Sequence, residues 1–376
     1  MPPLTFLRAL LALVSIALLA FAVYLIWTWY QGDIARDADG VVYRVREDWR
    51  VWTGGVLLAW SLLGRFLMLP LLARRDTDPI RPTRTEGIRL PRAGGSELYV
   101  ELIGSADAPP IILTHGWSLD NTMWYYAKRD LARRFRVVVW DLPGLGRSTR
   151  GKSGTVSLSD MARDLQTVIG ACGGKPPILV GHSIGGMIVQ TLARDEPDYV
   201  ARQVAGVVLL NTTYTNPLRT MILSGLATAL RWPLVEPMMR LTIWLEPLSW
   251  LSAWQSYLSG WTHVATRFGF GTSVTRSQLD HTALLLTRAR PAVSAKGDLA
   301  MFRWDSQFAL ARDGVPVLVI GGDMDIVTKA EASRSIAARV PLAKLVIVAG
   351  ANHMGPIERA ELYNAEIAAF ADAHSR

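Results

Sequence analysis

The chain has 376 residues, half of them hydrophobic, and its 40 Lys and Arg against 32 Asp and Glu give a formal net charge of +8. This length allows one large domain with an insertion or a membrane segment. The basic residues are spread along the chain and form no tract that could follow a phosphate backbone, so we expect no nucleic-acid partner. The single cysteine, Cys172, excludes an intrachain disulfide and a cysteine-based zinc site, and no metal or other cofactor is expected.

Residues 1–73 differ in kind from the rest and predict a membrane anchor. Residues 9–32 carry no charge, and at about 1.5 Å per residue they are long enough to span a hydrocarbon core of about 30 Å. Trp27, Trp29 and Tyr30 crowd one end, as aromatic residues do at a membrane interface. A cleaved signal peptide is the alternative, but the sequence VYLIWTWY stays apolar where a mature chain should turn polar.

A second apolar stretch, residues 51–73, carries one charged residue, Arg65. It is expected to be a second span or a helix that lies in the interface, so the anchor has one or two transmembrane helices. The basic residues that flank the two stretches are almost balanced and lean only slightly toward a cytoplasmic location for the catalytic domain. The orientation therefore stays open, and the lipid bilayer is the expected partner.

Prolines and arginines in residues 74–96 indicate a linker. Seven apolar runs then alternate with amphipathic segments, which predicts a mainly parallel sheet with helices on both faces. The runs are 97–104, 110–116, 136–144, 177–183, 206–211, 315–322 and 344–350.

The alternation breaks between residues 212 and 305, where the pattern is helical. We interpret this segment as a cap or lid inserted into a catalytic domain that consists of residues 97–211 and 306–376. Within it Trp250, Trp254, Tyr257 and Trp261 recur at steps of four, three and four residues, and so share one helical face. Three roles are compatible with this face: packing as ordinary core, lining an apolar substrate pocket, or entering the bilayer. Trp254 and Trp261 are the candidate substrate-binding residues.

One serine stands between glycines directly after an apolar run, in the sequence GHSIGG. The spacing around Ser183 predicts a sharp turn from strand to helix that exposes its hydroxyl, although a glycine-rich turn that merely ends a strand has the same composition. Asp323 and Asp325 follow a later run, and His353 follows the last. Because the carboxyl ends of parallel strands share one edge, these side chains are expected to meet there.

Five segments together resemble the α/β-hydrolase superfamily over residues 88–376: LTHGW, VVVWDLPGLGRS, LVGHSIGG, LVIGGDMDIVT and VAGANHMGPIERAELYNAEIAAF. Within the superfamily the chain is similar to membrane-anchored serine esterases of the monoacylglycerol-lipase type. The resemblance implies Ser183 as nucleophile, His353 as general base and Asp325 as the orienting acid, with Asp323 as the alternative. It also implies an α/β-hydrolase fold with a helical cap.

The resemblance implies further roles near the serine. The backbone N–H groups of Ile184 and Trp117 would form an oxyanion hole, whose donors stabilise the charge of the tetrahedral intermediate. His182 is expected to pack below the turn, His115 to form structural hydrogen bonds, and Asp141 to stabilise its loop.

The expected activity is hydrolysis of hydrophobic carboxylic esters through an acyl-enzyme, as in a carboxylesterase or lipase. A carbon–carbon bond hydrolase or a perhydrolase would use the same three side chains. A non-catalytic binding or scaffold protein with the same fold is the remaining alternative.

Overall fold

A computed structural model describes residues 2–92, 95–151, 156–312, 314–341 and 343–375. It begins with a helical hairpin, in which helices α1 (Pro2–Gln31) and α2 (Asp48–Leu72) are joined by the short antiparallel strands β1 (Asp33–Arg36) and β2 (Val42–Val45). Both helices are long and apolar enough to cross a membrane, with mean hydropathies of 2.8 and 1.8 over their apolar stretches. Few of their residues are buried, unlike those of a helix in a soluble core.

Eight strands form the central sheet: β3 (Ile88–Pro91), β4 (Glu97–Ile103), β5 (Pro110–Thr114), β6 (Arg136–Trp140), β7 (Ile178–His182), β8 (Gly206–Leu210), β9 (Val317–Gly322) and β10 (Ala343–Val348). Their order across the sheet is β10-β9-β8-β7-β5-β6-β4-β3. Strands β5 to β10 run parallel, whereas β4 is antiparallel to β6 and β3 is antiparallel to β4. All seven predicted apolar runs form strands, which confirms the mainly parallel sheet.

Strand β3 corrects the prediction that residues 74–96 are only a linker. It pairs with β4 from Ile88 to Pro91 at the edge of the sheet. Four residues that end in proline make a weak strand pattern, and Pro91 is tolerated there because an edge strand leaves one side unpaired. The same segment also carries Arg84, which forms salt bridges of 2.7 Å with both Asp120 and Asp141.

Helices cover both faces of the sheet. Neighbouring residues on one strand pack to opposite sides, since Ile112 belongs to one buried apolar cluster and Ile111 and Leu113 to the other. The covering helices are α3 (Tyr125–Leu131), α4 (Leu158–Gly170), α5 (Ile184–Asp195), α6 (Pro197–Gln203), α14 (Ala330–Arg339), α15 (Gly355–Glu358) and α16 (Ala360–His374).

The segment between β8 and β9 is helical, as its sequence predicts. Its helices are α7 (Pro217–Thr220), α8 (Ser224–Ala229), α9 (Glu236–Trp244), α10 (Glu246–Leu258), α11 (Trp261–Arg267), α12 (Arg276–Arg288) and α13 (Pro291–Met301). We call these helices the cap. The N-terminal hairpin packs against them: Gln255 on α10 donates a hydrogen bond of 3.0 Å to the carbonyl of Ser61 on α2. The hairpin is therefore part of the folded unit.

The packing of α2 on the cap requires a glycine. A Cβ at Gly64 would lie 2.5 Å from the carbonyl oxygen of Ser259, whereas a Cβ at Gly55 on the same helix would meet no atom within 4 Å. We expect Gly64→Ala to lower the free energy of unfolding by about 1–3 kcal/mol, because two backbones must separate. Gly55→Ala should be neutral or stabilising by up to about 1 kcal/mol, as helix propensity dictates.

Thermal unfolding of the full-length chain in detergent measures this difference. Equal melting temperatures for the two variants would contradict the contact between α2 and the cap.

Candidate active site

Ser183 occupies the turn between β7 and α5 with φ of 55° and ψ of −118°. A residue other than glycine seldom adopts a positive φ, so this turn is held by its surroundings. The flanking glycines allow it: a Cβ at Gly181 would lie 2.4 Å from the nitrogen of Gly186, and a Cβ at Gly185 would lie 2.3 Å from the carbonyl oxygen of Thr114. The geometry matches the predicted turn that presents the serine hydroxyl.

The structure brings Ser183, His353 and Asp325 together at the carboxyl ends of β7, β10 and β9. Nε2 of His353 lies 3.1 Å from the Ser183 Oγ, and its Nδ1 lies 3.0 Å from Asp325 Oδ2 and 3.2 Å from Oδ1. All three residues are buried. An Nδ1–H that donates to the carboxylate leaves Nε2 free to accept the serine proton, which is the arrangement of a nucleophile, a base and an orienting acid.

Asp325 is stabilised as a carboxylate. Burial by itself would raise its pKa, but the neighbouring His353 together with hydrogen bonds from Thr328 and Asn211 holds the pKa below its usual range. Its Oδ1 accepts the backbone N–H groups of Val327 and Thr328, each at 2.8 Å. A negative charge fixed beside the imidazole sets the tautomer and stabilises the imidazolium.

Asp323, the alternative acid, is not part of this group. Its side chain is exposed, and its Oδ1 accepts the N–H of Gly350 at 2.7 Å. The carboxylate therefore stabilises the turn after β10. The spacing after the strand favoured Asp325 as the acid. Asp325 is also the carboxylate that contacts His353 in the structure.

Asn211 and Tyr363 hold Asp325 in place, and the sequence did not identify them. Asn211 donates from Nδ2 to Asp325 Oδ2 at 3.0 Å and accepts the Tyr363 hydroxyl proton on Oδ1 at 2.6 Å. Asn211 ends an apolar run in the sequence, but its uncharged amide does not indicate a role beside the acid. Tyr363 lies on α16 near the end of the chain, and no local pattern links it to the site.

The two predicted oxyanion donors are available. Among the described residues, the backbone N–H groups of Trp117 and Ile184 donate to no other group. Ile184 is the first residue of α5, where the helix leaves such groups free. The Trp117 indole donates to the Ser294 carbonyl at 2.8 Å, and the Ser118 hydroxyl donates to the Ser294 hydroxyl at 2.7 Å. Helix α13 of the cap thus fixes the loop that carries Trp117.

The remaining polar residues of the motifs have the structural contacts expected of them. His182 is buried and donates from Nε2 to the carbonyl of His353 at 2.9 Å, which positions the loop after β10. His115 accepts the N–H of Leu142 on Nε2 at 3.0 Å. Asp141 accepts the N–H groups of Asn121 and Arg147, each at 2.7 Å.

Trp254 and Trp261 are half-buried on α10 and α11. Trp254 contacts Tyr257 edge to face, at 6.0 Å between ring centroids. A small cavity of about 30 Å³ is lined by residues that include Trp117 and Met354. Neither Trp254 nor Trp261 is among the described residues that line it. Contact of the two tryptophans with substrate stays a prediction.

Comparisons with known proteins agree with this architecture. Residues 109–360 match the family described as alpha/beta hydrolase fold, so the chain belongs to that family. A pimeloyl-[acyl-carrier protein] methyl ester esterase of Yersinia pseudotuberculosis is 27% identical over 265 residues, which cover 68% of this chain and 90% of the relative. A protein of the same name from Nitrosospira multiformis is 33% identical, but the match covers only 32% of this chain and 44% of that relative.

Among solved structures, an esterase from Thermogutta terrifontis superimposes with a TM-score of 0.61 over 78% of this chain and 100% of its own, at 23% identity. This likeness shows the fold. The chain is thus a member of a hydrolase family, and the proteins to which it is similar include esterases.

The burial of His182 predicts a pH dependence of stability. Burial, followed by the neighbouring His353, lowers the pKa of His182 from 6.5 to about 3. As the pH falls below about 6.5 the unfolded chain binds a proton at this residue that the folded chain does not, so the free energy of unfolding falls by about 1.4 kcal/mol per pH unit. Above about pH 6.5 His182 is neutral in both states and the full stability is present. The loss of stability is complete near the folded-state pKa of about 3.

Denaturant unfolding of wild type and His182→Gln at several pH values between 4 and 7 measures the slope. The slope for the His182→Gln variant should be smaller by about 1.4 kcal/mol per pH unit, which corresponds to one bound proton. An unchanged slope would contradict a neutral, buried His182.

Proposed function

We propose that the chain is a membrane-associated serine hydrolase that cleaves carboxylic esters with hydrophobic acyl groups. The observation that carries the proposal is the 3.1 Å contact between Ser183 Oγ and His353 Nε2, with His353 Nδ1 held by Asp325 at 3.0 Å. A hydroxyl, an imidazole and a carboxylate in this sequence of contacts form a nucleophile that can be activated at neutral pH. A carboxylic ester also agrees with the methyl ester in the name of the Yersinia relative.

The mechanism follows from these contacts. Nε2 of His353 accepts the Ser183 proton while Oγ attacks the ester carbonyl, and Asp325 stabilises the imidazolium. The N–H groups of Trp117 and Ile184 stabilise the oxyanion of the tetrahedral intermediate. His353 then protonates the departing alcohol, which leaves an acyl group on Ser183. A water molecule, deprotonated by His353, attacks the carbonyl of this acyl-enzyme, and His353 returns the proton to Ser183 Oγ as the acid is released.

The proposed membrane association rests on α1 and α2, which we take as the anchor formed by residues 1–73. Their outward side chains are large and apolar, and Trp27, Tyr30 and Trp52 are all exposed. Such a surface is stable in a bilayer and unfavourable in water. The catalytic domain and the cap, residues 212–305, then lie against one face of the membrane.

The role of Ser183 is tested with a fluorophosphonate probe and p-nitrophenyl esters. Wild type should be labelled and should hydrolyse the esters, whereas Ser183→Ala should lose labelling and at least about 10⁵-fold of its turnover, because no other group can form the acyl-enzyme. A circular dichroism spectrum like that of wild type confirms folding. Normal turnover by purified Ser183→Ala would disprove the proposal.

The role of Asp325 has a matched control in the chain. Asp325→Asn should lower kcat by about 10³- to 10⁴-fold, because the amide favours the wrong imidazole tautomer. Asp323→Asn should change kcat by less than about twofold, since its exposed side chain has no contact with His353. The opposite ranking of the two variants would assign the acid to Asp323.

The anchor is tested by alkaline carbonate extraction of membranes from cells that produce the full-length chain. We expect the protein to stay in the membrane pellet, because α1 and α2 bury apolar surface in lipid. Release into the supernatant would rule out an integral anchor, and an N-terminus cleaved after the first apolar stretch would identify a signal peptide instead.

A further inference from the structure

A cavity of about 160 Å³ lies between the N-terminal helix and the cap. Helix α1 contributes Ala9, Ala12 and Leu13 to its walls, and most of the remaining lining comes from α9, α10 and α13. Most of the lining side chains are Ala, Leu and Met. An apolar cavity of about 150 Å³ in another protein holds a benzene molecule, so this volume admits a hydrocarbon segment of about six carbons.

One end of the cavity opens to the outside through an apolar rim. Leu13 on α1, Leu241 on α9 and Leu248 on α10 line the cavity and are 54%, 51% and 49% exposed. Leu13 belongs to the part of α1 that is apolar enough to cross a membrane. Trp232, between α8 and α9, and Trp244, the last residue of α9, add exposed aromatic surface to the cap at 60% and 78%. An apolar rim of this kind is suited to hydrocarbon and not to water.

Two of the lining residues connect the cavity with the loop that carries Trp117. Ser294 on α13 lines the cavity and also accepts hydrogen bonds from the Trp117 indole and the Ser118 hydroxyl. Arg8 lines both this cavity and the smaller one beside Trp117 and Met354, so the two adjoin at its side chain. The Arg8 Nε is buried and has no hydrogen-bond partner among the described residues. A donor in this position can bind an ester oxygen.

Hydrogen bonds hold helix α1 in a fixed position against the cap. The Ser15 and Ser259 hydroxyls share a hydrogen bond of 2.7 Å, and the Arg8 guanidinium donates to the carbonyl of Leu286 at 2.7 Å. These contacts join α1 to the cap at both ends of the cavity wall.

We propose that this cavity binds the acyl chain of a membrane-dissolved ester, which enters sideways from the bilayer between α1 and the cap. The inference rests on the proposed function and adds that the anchor forms part of the substrate site. A chain that passes from lipid into an apolar cavity never crosses water, while its ester group reaches Arg8 and the loop of Trp117. Each methylene held in the cavity then favours long acyl groups over short ones.

The test fills the cavity from α1. Ala12 is buried on the cavity wall, and Ala17 is exposed on the same helix, so Ala12→Phe has Ala17→Phe as its matched control. The measurement is kcat/KM of the full-length chain in detergent for p-nitrophenyl decanoate and p-nitrophenyl butanoate. Wild type should prefer decanoate. Ala12→Phe should lower the decanoate to butanoate ratio at least about tenfold, and Ala17→Phe should leave it unchanged.

A second variant fills the cavity from the opposite wall, because Ala253 on α10 also lines it. Ala253→Phe decides the question if Ala12→Phe does not fold. An unchanged ratio in either folded variant, or a wild type that prefers butanoate, would overturn this inference while leaving the serine hydrolase intact. A wild type that hydrolyses neither ester and does not react with the fluorophosphonate would instead disprove the proposed function itself.

Discussion

The turn at Ser183 is the constraint on which the candidate site depends. A serine with φ of 55° is held between a buried strand and a buried helix, and its flanking glycines leave no space for side chains. Such a turn aims the hydroxyl away from the sheet. The neighbouring elements must then deliver a base to that hydroxyl, and the loops after β9 and β10 do so with Asp325 and His353.

The geometry of the candidate site depends on groups other than Ser183, His353 and Asp325 themselves. Asn211 and Tyr363 fix the carboxylate, and His182 holds the backbone of His353. Each of these contacts joins segments more than a hundred residues apart in the chain. The sheet brings them together because parallel strands end at one edge, and burial strengthens the hydrogen bonds between them.

The cap and the N-terminal hairpin together border the cavity that we propose for the acyl chain. Helix α13 supports the loop of Trp117 through Ser294, and the same helix lines the cavity that α1 borders. A structural support for the oxyanion donors and a wall for a hydrophobic ligand are thereby parts of one helix. In the proposed function, the N-terminal hairpin that packs on the cap would influence which esters reach Ser183.

The sequence by itself determined the strand order along the chain, the helical nature of the cap and the residues of the candidate site. It did so because buried strands, glycine turns and amphipathic helices leave local patterns. The edge strand β3 was missed since four residues carry too little pattern, and Arg84, Asn211 and Tyr363 were missed since their partners are remote in sequence. Only the tertiary structure decided which face of α10 borders a cavity. Leu248 and Ser252 line it, whereas the aromatic stripe that begins at Trp250 points elsewhere, because the position of α1 and not helical periodicity selects the face.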